Sequence, residues 1–263
     1  MWWTKKKKTN FATGKPALPK RGTDDGKYSI QIKQDVTASG RSFSVSSGTA
    51  EPALLYKFVS SLLTLRKKMK VLNSADHPVA IVQRQLVSNY FRKKFQIFLF
   101  TPNRPGQPPA DTYKGVPYYR FAYITRQYIA SAVSAHPVYT LRLYDGNNKA
   151  PSILLKLSPI VDGIASATVK KKYSIQTAQG KVVGSDDQTS ALQLSFKNTY
   201  NLSLDGSAVE EEVNKYNIKT EEYILACIVL AIVADVTAGS SLVSVAENVA
   251  AASSLGKVVS AVV

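Results

Sequence analysis

Residues 220–239 read TEEYILACIVLAIVADVTAG, and this stretch decides what the rest of the chain must surround. Thr220 is a good helix N-cap, two glutamates follow it at the positive end of the helix dipole, and Gly239 can end the helix. From Tyr223 to Ala234 the side chains are apolar on every face, which predicts a helix buried on all sides. A bilayer span needs roughly 20 apolar residues, and this run is shorter. We therefore predict a core helix at residues 221–238.

The chain between Tyr28 and Leu204 consists of short β-rich runs separated by turn residues, the pattern of a sandwich or barrel. One hairpin is clear: strands at 66–72 and 79–84 flank a polar turn. If pairing is centred on that turn, alternation places the basic residues on one face. This predicted face comprises Arg66, Lys68, Lys70, Ala80, Val82 and Arg84. On the next strand, Tyr90, Arg92, Lys94 and Gln96 lie opposite Phe91, Phe95, Ile97 and Leu99.

An internal repeat is indicated by a second basic hairpin. Residues 67–79 align without gaps on residues 170–182, each as strand, Ala-centred turn and strand. The Pro-rich segment 101–117 predicts a surface loop between two halves, because proline lacks the donor that a central strand needs. Together with the helix, these patterns predict a mainly β fold: a closed antiparallel β-barrel of two related halves around one buried hydrophobic C-terminal helix. The barrel domain is predicted at residues 28–238, and an Ala/Ser/Val-rich tail, a marginal helix, at 239–263.

The net charge of +16 is concentrated in two segments. Residues 1–27 contain eight lysines and arginines against two aspartates, a net charge of +6, and predict a basic flexible arm. Residues 66–104 contain nine against one, a net charge of +8. Such a field attracts phosphate-bearing partners. The single cysteine and the lack of a secretory signal predict a cytoplasmic protein.

Catalytic motifs are missing from the sequence. No nucleotide-binding glycine loop, nucleophile elbow or HExxH helix is present. Both histidines, His77 and His136, precede a proline in turn-like contexts, and Cys227 lies within the apolar helix. We therefore predict no enzymatic activity, no catalytic residues, no metal and no cofactor.

Basic hairpins in two related halves, followed by one apolar helix, resemble the LURP-one-related and tubby C-terminal superfamily, to which phospholipid scramblases are distantly similar. The resemblance rests on 65–100, 167–204 and the helix 221–236, and spans about residues 28–238. It implies a closed barrel threaded by the helix, and a binding protein; tubby-type domains bind phosphoinositides. The chain lacks the cysteine-rich acylation segment of scramblases and an Asp-rich calcium loop, so neither scrambling nor calcium dependence is implied.

The predicted function is binding of an anionic phospholipid membrane surface, which would make the protein peripheral at a membrane. Trp2 and Trp3, ahead of the lysines of the arm, suit a membrane interface. The alternative partner is RNA or another nucleic acid, which aromatic residues interleaved on the basic sheet face would favour; the sequence places only Tyr90 there. The oligomeric state stays open. The predicted anion-binding residues are Lys5, Lys6, Lys7, Lys8, Arg66, Lys68, Lys70, Arg84, Arg92 and Lys94.

Overall fold

The computed structural model describes residues 12–23, 25–37, 40–49, 51–60, 68–85, 94–102, 104–128, 137–144, 153–160, 172–188 and 199–236. Within these residues the strands are β1 Lys27–Thr37, β2 Gly40–Ser47, β3 Leu54–Ser60, β4 Lys68–Asn73, β5 Pro78–Arg84, β6 Lys94–Leu99, β7 Asp111–Tyr113, β8 Val116–Tyr128, β9 Pro137–Leu143, β10 Ile153–Ile160, β11 Lys172–Gln176, β12 Val182–Gln188 and β13 Thr199–Asp205. Two helices follow: α1, Gly206–Tyr216, and α2, residues 220–236.

Twelve of these strands form one closed antiparallel barrel. Each strand pairs with its neighbour in sequence, β13 pairs with β1, and β6 pairs with β8 across the short β7. In the part of the chain that the structure describes, β7 pairs only with β8. Closure leaves none of the twelve strands at a sheet edge. The predicted fold class is confirmed.

Helix α2 fills the barrel. Every side chain from 222 to 234 is buried, and the apolar ones belong to the same core cluster as the inward-facing residues of the strands. At its C-terminal end the hydroxyl of Tyr139, on β9, donates to the carbonyl oxygen of Ala234 at 3.2 Å. The apolar run is thus a core helix, as its pattern predicts. No described helix is both long and apolar enough to cross a membrane.

The two halves of the barrel repeat the same hairpin. Hairpins β4–β5 and β11–β12 are each the fourth and fifth barrel strands of their half. In the first turn the side chain of Asn73 accepts hydrogen bonds from the N–H groups of Ala75 and His77. In the second, the hydroxyl of Thr177 accepts from those of Gln179 and Lys181. Both turns are therefore held by the side chain of their first residue.

A β-bulge also occurs at the same point of both hairpins, between Val71 and Leu72 and between Ile175 and Gln176. The structural match pairs Asn73 with Thr177. The gapless sequence alignment instead pairs Asn73 with Gln176. The hairpin is therefore repeated in the structure, but one residue out of register with that alignment.

The bulge also changes which residues of β5 face outward. Ala80 and Val82 lie inside the barrel, opposite Val71 and Met69, whereas Ile81 lies outside, opposite Lys70. The predicted basic face was wrong in including Ala80 and Val82, because pairing centred on the turn does not allow for the extra residue of a bulge. Lys68 and Lys70 do share the outer face.

Helix α1 was not predicted. Asp205 caps it by accepting a hydrogen bond from the N–H of Ala208. The acidic triplet at 210–212 lies within this helix, and Glu212 is buried with an ion pair to Lys215.

The described part of the N-terminal arm contacts the barrel. The N–H of Gly14 donates to the carbonyl oxygen of Pro78 at 3.1 Å. The hydroxyl of Tyr56 both accepts from the N–H of Ala17 at 2.7 Å and donates to the carbonyl oxygen of Ala17 at 2.8 Å. Arg21 then forms an ion pair with a glutamate of α1. A flexible arm is predicted over residues 1–27, of which 1–11 and 24 lie outside the described residues.

Candidate anion-binding surface

Three lysines lie on the outer surface of the barrel: Lys68 and Lys70 on β4 and Lys94 on β6. We call this group the lysine face. Strand alternation places them outside because Val71 on β4 and Phe95 on β6 are inside. Across the sheet, Lys68 is in line with Gln83, then Gln96 on β6 and Tyr123 on β8. The lysine face therefore lies on a part of the sheet that is four strands wide, from β4 through β5 and β6 to β8.

The β7–β8 hairpin folds over this surface. Its turn consists of Lys114 and Gly115. Both have positive φ, as a type I′ hairpin turn requires. Ile81, Phe98, Phe100 and Tyr118 form a second apolar cluster beneath the hairpin, and Tyr113 packs against it. Part of the predicted Pro-rich loop is thus a hairpin that covers apolar residues on the outside of the barrel.

Each lysine of the face has its ammonium group near a tyrosine ring. Nζ of Lys94 is 4.1 Å from the ring centroid of Tyr123. Nζ of Lys70 is 5.1 Å from that of Tyr113, and Nζ of Lys68 is 5.9 Å from that of Tyr118. These distances are within the range of cation–π attraction, about 6 Å.

Carboxylates are scarce on this surface. None of the ion pairs among the described residues includes Lys68, Lys70 or Lys94; the pairs are Arg21–Glu210, Lys57–Asp76, Lys172–Asp187, Lys181–Glu211, Lys215–Glu212 and Lys219–Glu222. Among the described residues, Asp111 is an acidic group that lies near the lysine face. Hydrogen bonds from the N–H of Thr112 and the hydroxyl of Tyr118 lower the pKa of Asp111, and the charge of Lys68 lowers it further. The surface keeps a net positive charge.

The other predicted site residues are not brought onto the lysine face. Arg84 is the last residue of β5 and is opposite Phe95, so it lies on the inner side of the sheet at the end of the barrel. The rest fall outside the described residues: Trp2, Trp3, Lys5, Lys6, Lys7, Lys8, Arg66 and Arg92.

The tyrosines of this surface were missed by sequence reasoning, which placed only Tyr90 there. Tyr113 lies within the Pro-rich segment, and Tyr118 and Tyr123 come after it. The β7–β8 hairpin and the pairing of β6 with β8 bring them beside the lysines. The aromatic alternation at 119–123 gives no signal, because it places Tyr123 on the face of the buried Phe121 and the bulge in the β6–β8 pairing reverses this.

A second polar group, also missed, lies inside the barrel near the end of α2. Arg126 on β8 is 1% exposed and Asp186 on β12 is 3% exposed. Burial, together with the charges of Asp235 on α2 and of Asp187, raises the pKa of Asp186 to about 7. Arg126 lies between Thr125 and Gln127, and Asp186 between Ser185 and Asp187, so their polar neighbours give no sign of burial.

No cluster of three or more side chains that could hold a metal ion occurs in the described part of the chain. Cys227 is fully buried within α2, and burial raises the pKa of its thiol well above the usual range. His77 lies exposed in the β4–β5 turn.

Fold and surface together define a closed β-barrel, threaded by a helix and basic on part of its outer face. No protein-family model matches the chain, and no curated protein matches it. Among solved structures, the X-ray structure of a protein from Arabidopsis thaliana is similar, with 13% sequence identity and a TM-score of 0.39. The match covers 80% of this chain and 92% of that chain. A likeness at this score carries no argument about family or function, so membership of the LURP-one-related and tubby superfamily stays an expectation.

Proposed function

We propose that the protein is a non-enzymatic binder of anionic phospholipid surfaces and that the lysine face is its contact. The observation that carries this proposal is the placement of Lys68, Lys70 and Lys94 together on one outer surface without ion-pair partners among the described residues. Lys68 and Lys70 are two residues apart on the same face of β4, so their like charges repel each other unless an anion lies nearby. A layer of phosphate headgroups provides that anion.

The attachment of the arm supports a second contact. Gly14 is bonded to Pro78, the first residue of β5, so the arm meets the barrel at the hairpin that carries Lys68 and Lys70. The four consecutive lysines 5–8 precede this point by a few residues. Two weak contacts on one chain raise each other's effective concentration. We expect arm and face to bind the same surface.

An exposed apolar side chain beside the lysines favours a lipid partner. Val59 on β3 is opposite Lys70 and is 44% exposed. Apolar side chains flanked by lysines suit the boundary between headgroups and acyl chains.

A second candidate, single-stranded nucleic acid, is favoured by the tyrosines of this surface. Tyr113 and Tyr123 are partly exposed beside lysines, and aromatic rings within a basic surface can stack bases. Their rings already face ammonium groups, which is why we place this candidate second.

The test measures binding to vesicles of phosphatidylcholine alone and with phosphatidylserine added. The double variant Lys68→Glu, Lys70→Glu should bind acidic vesicles roughly 30-fold more weakly, because each lysine near an anionic membrane contributes about 1 kcal/mol. Lys27→Glu with Lys33→Glu is the matched control: the same charge change on exposed residues of β1, away from the lysine face. A chain lacking residues 1–8 should also bind more weakly, and added salt should weaken all binding.

Equal binding to neutral and acidic vesicles, or equal losses in the β4 and β1 variants, would show the proposal to be wrong. Competition by single-stranded RNA at far lower concentration than lipid would move the assignment to the second candidate.

A further inference from the structure

We propose that Tyr113 and Tyr123 are positioning residues of the lysine face: their rings hold the ammonium groups of Lys70 and Lys94 at fixed places, so that a phosphate-bearing ligand meets a preformed set of charges. This inference rests on the proposed function and adds how the site is built.

Each of these two rings lies close to an ammonium group of the lysine face. The short distance from Nζ of Lys94 to the ring of Tyr123 joins residues on paired strands, β6 and β8. The ring of Tyr113 lies near two ammonium groups, those of Lys70 at 5.1 Å and Lys114 at 5.9 Å. Each ring thus attracts the ammonium group of a lysine on another strand or in the turn.

The ring of Tyr113 is held in place by packing. Tyr113 meets Phe100 edge-on, with centroids 6.3 Å apart. Phe100 also meets Tyr118 edge-on, and the hydroxyl of Tyr118 donates to Asp111 on β7 at 3.0 Å. These three aromatic residues form one connected layer under Lys68 and Lys70, and a ring fixed in this way can restrict a side chain that lies over it. The ring of Tyr123 belongs to a barrel strand, β8, which pairs with the strand of Lys94.

Restriction matters because a lysine side chain is flexible. Its rotamer freedom is lost when the ammonium group is immobilised by a ligand. A side chain already held over a ring loses less, so binding is tighter with the same number of charges. An ammonium group has three N–H donors, so contact with a ring leaves donors for a phosphate.

The experiment compares Tyr123→Leu with the conservative variant Tyr123→Phe, which keeps the ring. We expect Tyr123→Leu to bind phosphatidylserine vesicles about three- to tenfold more weakly, as loss of an exposed cation–π contact and its restraint would give. Tyr123→Phe should stay within about twofold of the wild type. Both variants should show the wild-type dependence on salt, since no charge is removed. Thermal melting checks that both are folded.

A second measurement needs no ligand. In the wild type and Tyr123→Phe, the ε-proton NMR signals of Lys94 should be shifted upfield by the ring, and in Tyr123→Leu they should return to the values of a free lysine. Unshifted Lys94 signals in the wild type, or full vesicle affinity in Tyr123→Leu, would overturn the inference. Wild-type protein that ignores acidic vesicles would instead refute the proposed function, and the Lys94 signals would still decide whether Tyr123 holds the ammonium group.

Discussion

At the scale of single residues, Asp186 has the environment least suited to its charge. It lies inside the barrel on β12, paired across the sheet with Tyr173, and the charge of Asp235 on α2 also acts on it. A carboxyl group in such a place is favoured in its neutral form, since burial penalises the ion. The folded protein therefore binds this proton more tightly than the unfolded chain does.

This gives a pH dependence with a definite sign. The pKa of Asp186 is raised from an ordinary 3.8 to about 7, so the stabilisation is present below about pH 4 and is lost as pH rises towards 7. Asp186→Asn, which stays neutral, should flatten the fall in the free energy of unfolding between pH 4 and 7, by an amount on the order of 2–4 kcal/mol. Urea titrations of both proteins across that range measure it. Parallel pH profiles would contradict the burial argument.

At the scale of the element, the core helix can be tested by shortening its side chains. Leu225 is 1% exposed and Ile228 is 0% exposed. Leu225→Ala or Ile228→Ala should each lower the free energy of unfolding by roughly 2–5 kcal/mol, because each leaves a cavity among strands that cannot collapse. Val182→Ala on β12, where the side chain is 57% exposed, is the control and should change it little. Urea denaturation of all three is the measurement; unchanged stability in both helix variants would contradict a core role.

Elements of this protein differ in how far their sequence predicts them. Helix α2 is predictable because its apolar residues admit only burial, and hairpin β4–β5 because a polar turn separates two strands. The register of that hairpin cannot be predicted, since the bulge after Val71 depends on how the side chain of Asn73 is hydrogen-bonded within the turn. The predicted face of Ala80 and Val82 was therefore wrong, although the strand itself was correctly predicted.

At the scale of the whole molecule, charge was predictable and its surroundings were not. The basic segment 66–104 could be counted from the sequence, but the tyrosines beside it lie within or beyond the Pro-rich segment. Only closure of the barrel through β6 and β8 joins Lys94 to Tyr123. The burial of Arg126 is likewise a property of the closed barrel, because its neighbours along the chain do not mark it as a core residue.

The attachment of the arm to the barrel is testable at Tyr56. Tyr56→Phe removes both hydrogen bonds to Ala17 and should raise the rate of trypsin cleavage after Lys20 about five- to thirtyfold, as the loss of about 1–2 kcal/mol allows. Tyr139→Phe is the matched control, since it deletes a buried hydroxyl bonded to α2. Cleavage that is equally fast in both variants would mean general loosening rather than release of the arm.

The position of α2 in the chain has a consequence for biosynthesis. Every barrel strand is made before the residues that fill the barrel, so on the ribosome the strands emerge while their apolar inner faces still have nothing to pack against. A nascent chain that stops before residue 220 has no filled interior to fold around. We therefore expect the barrel to fold stably only after α2 has been synthesised.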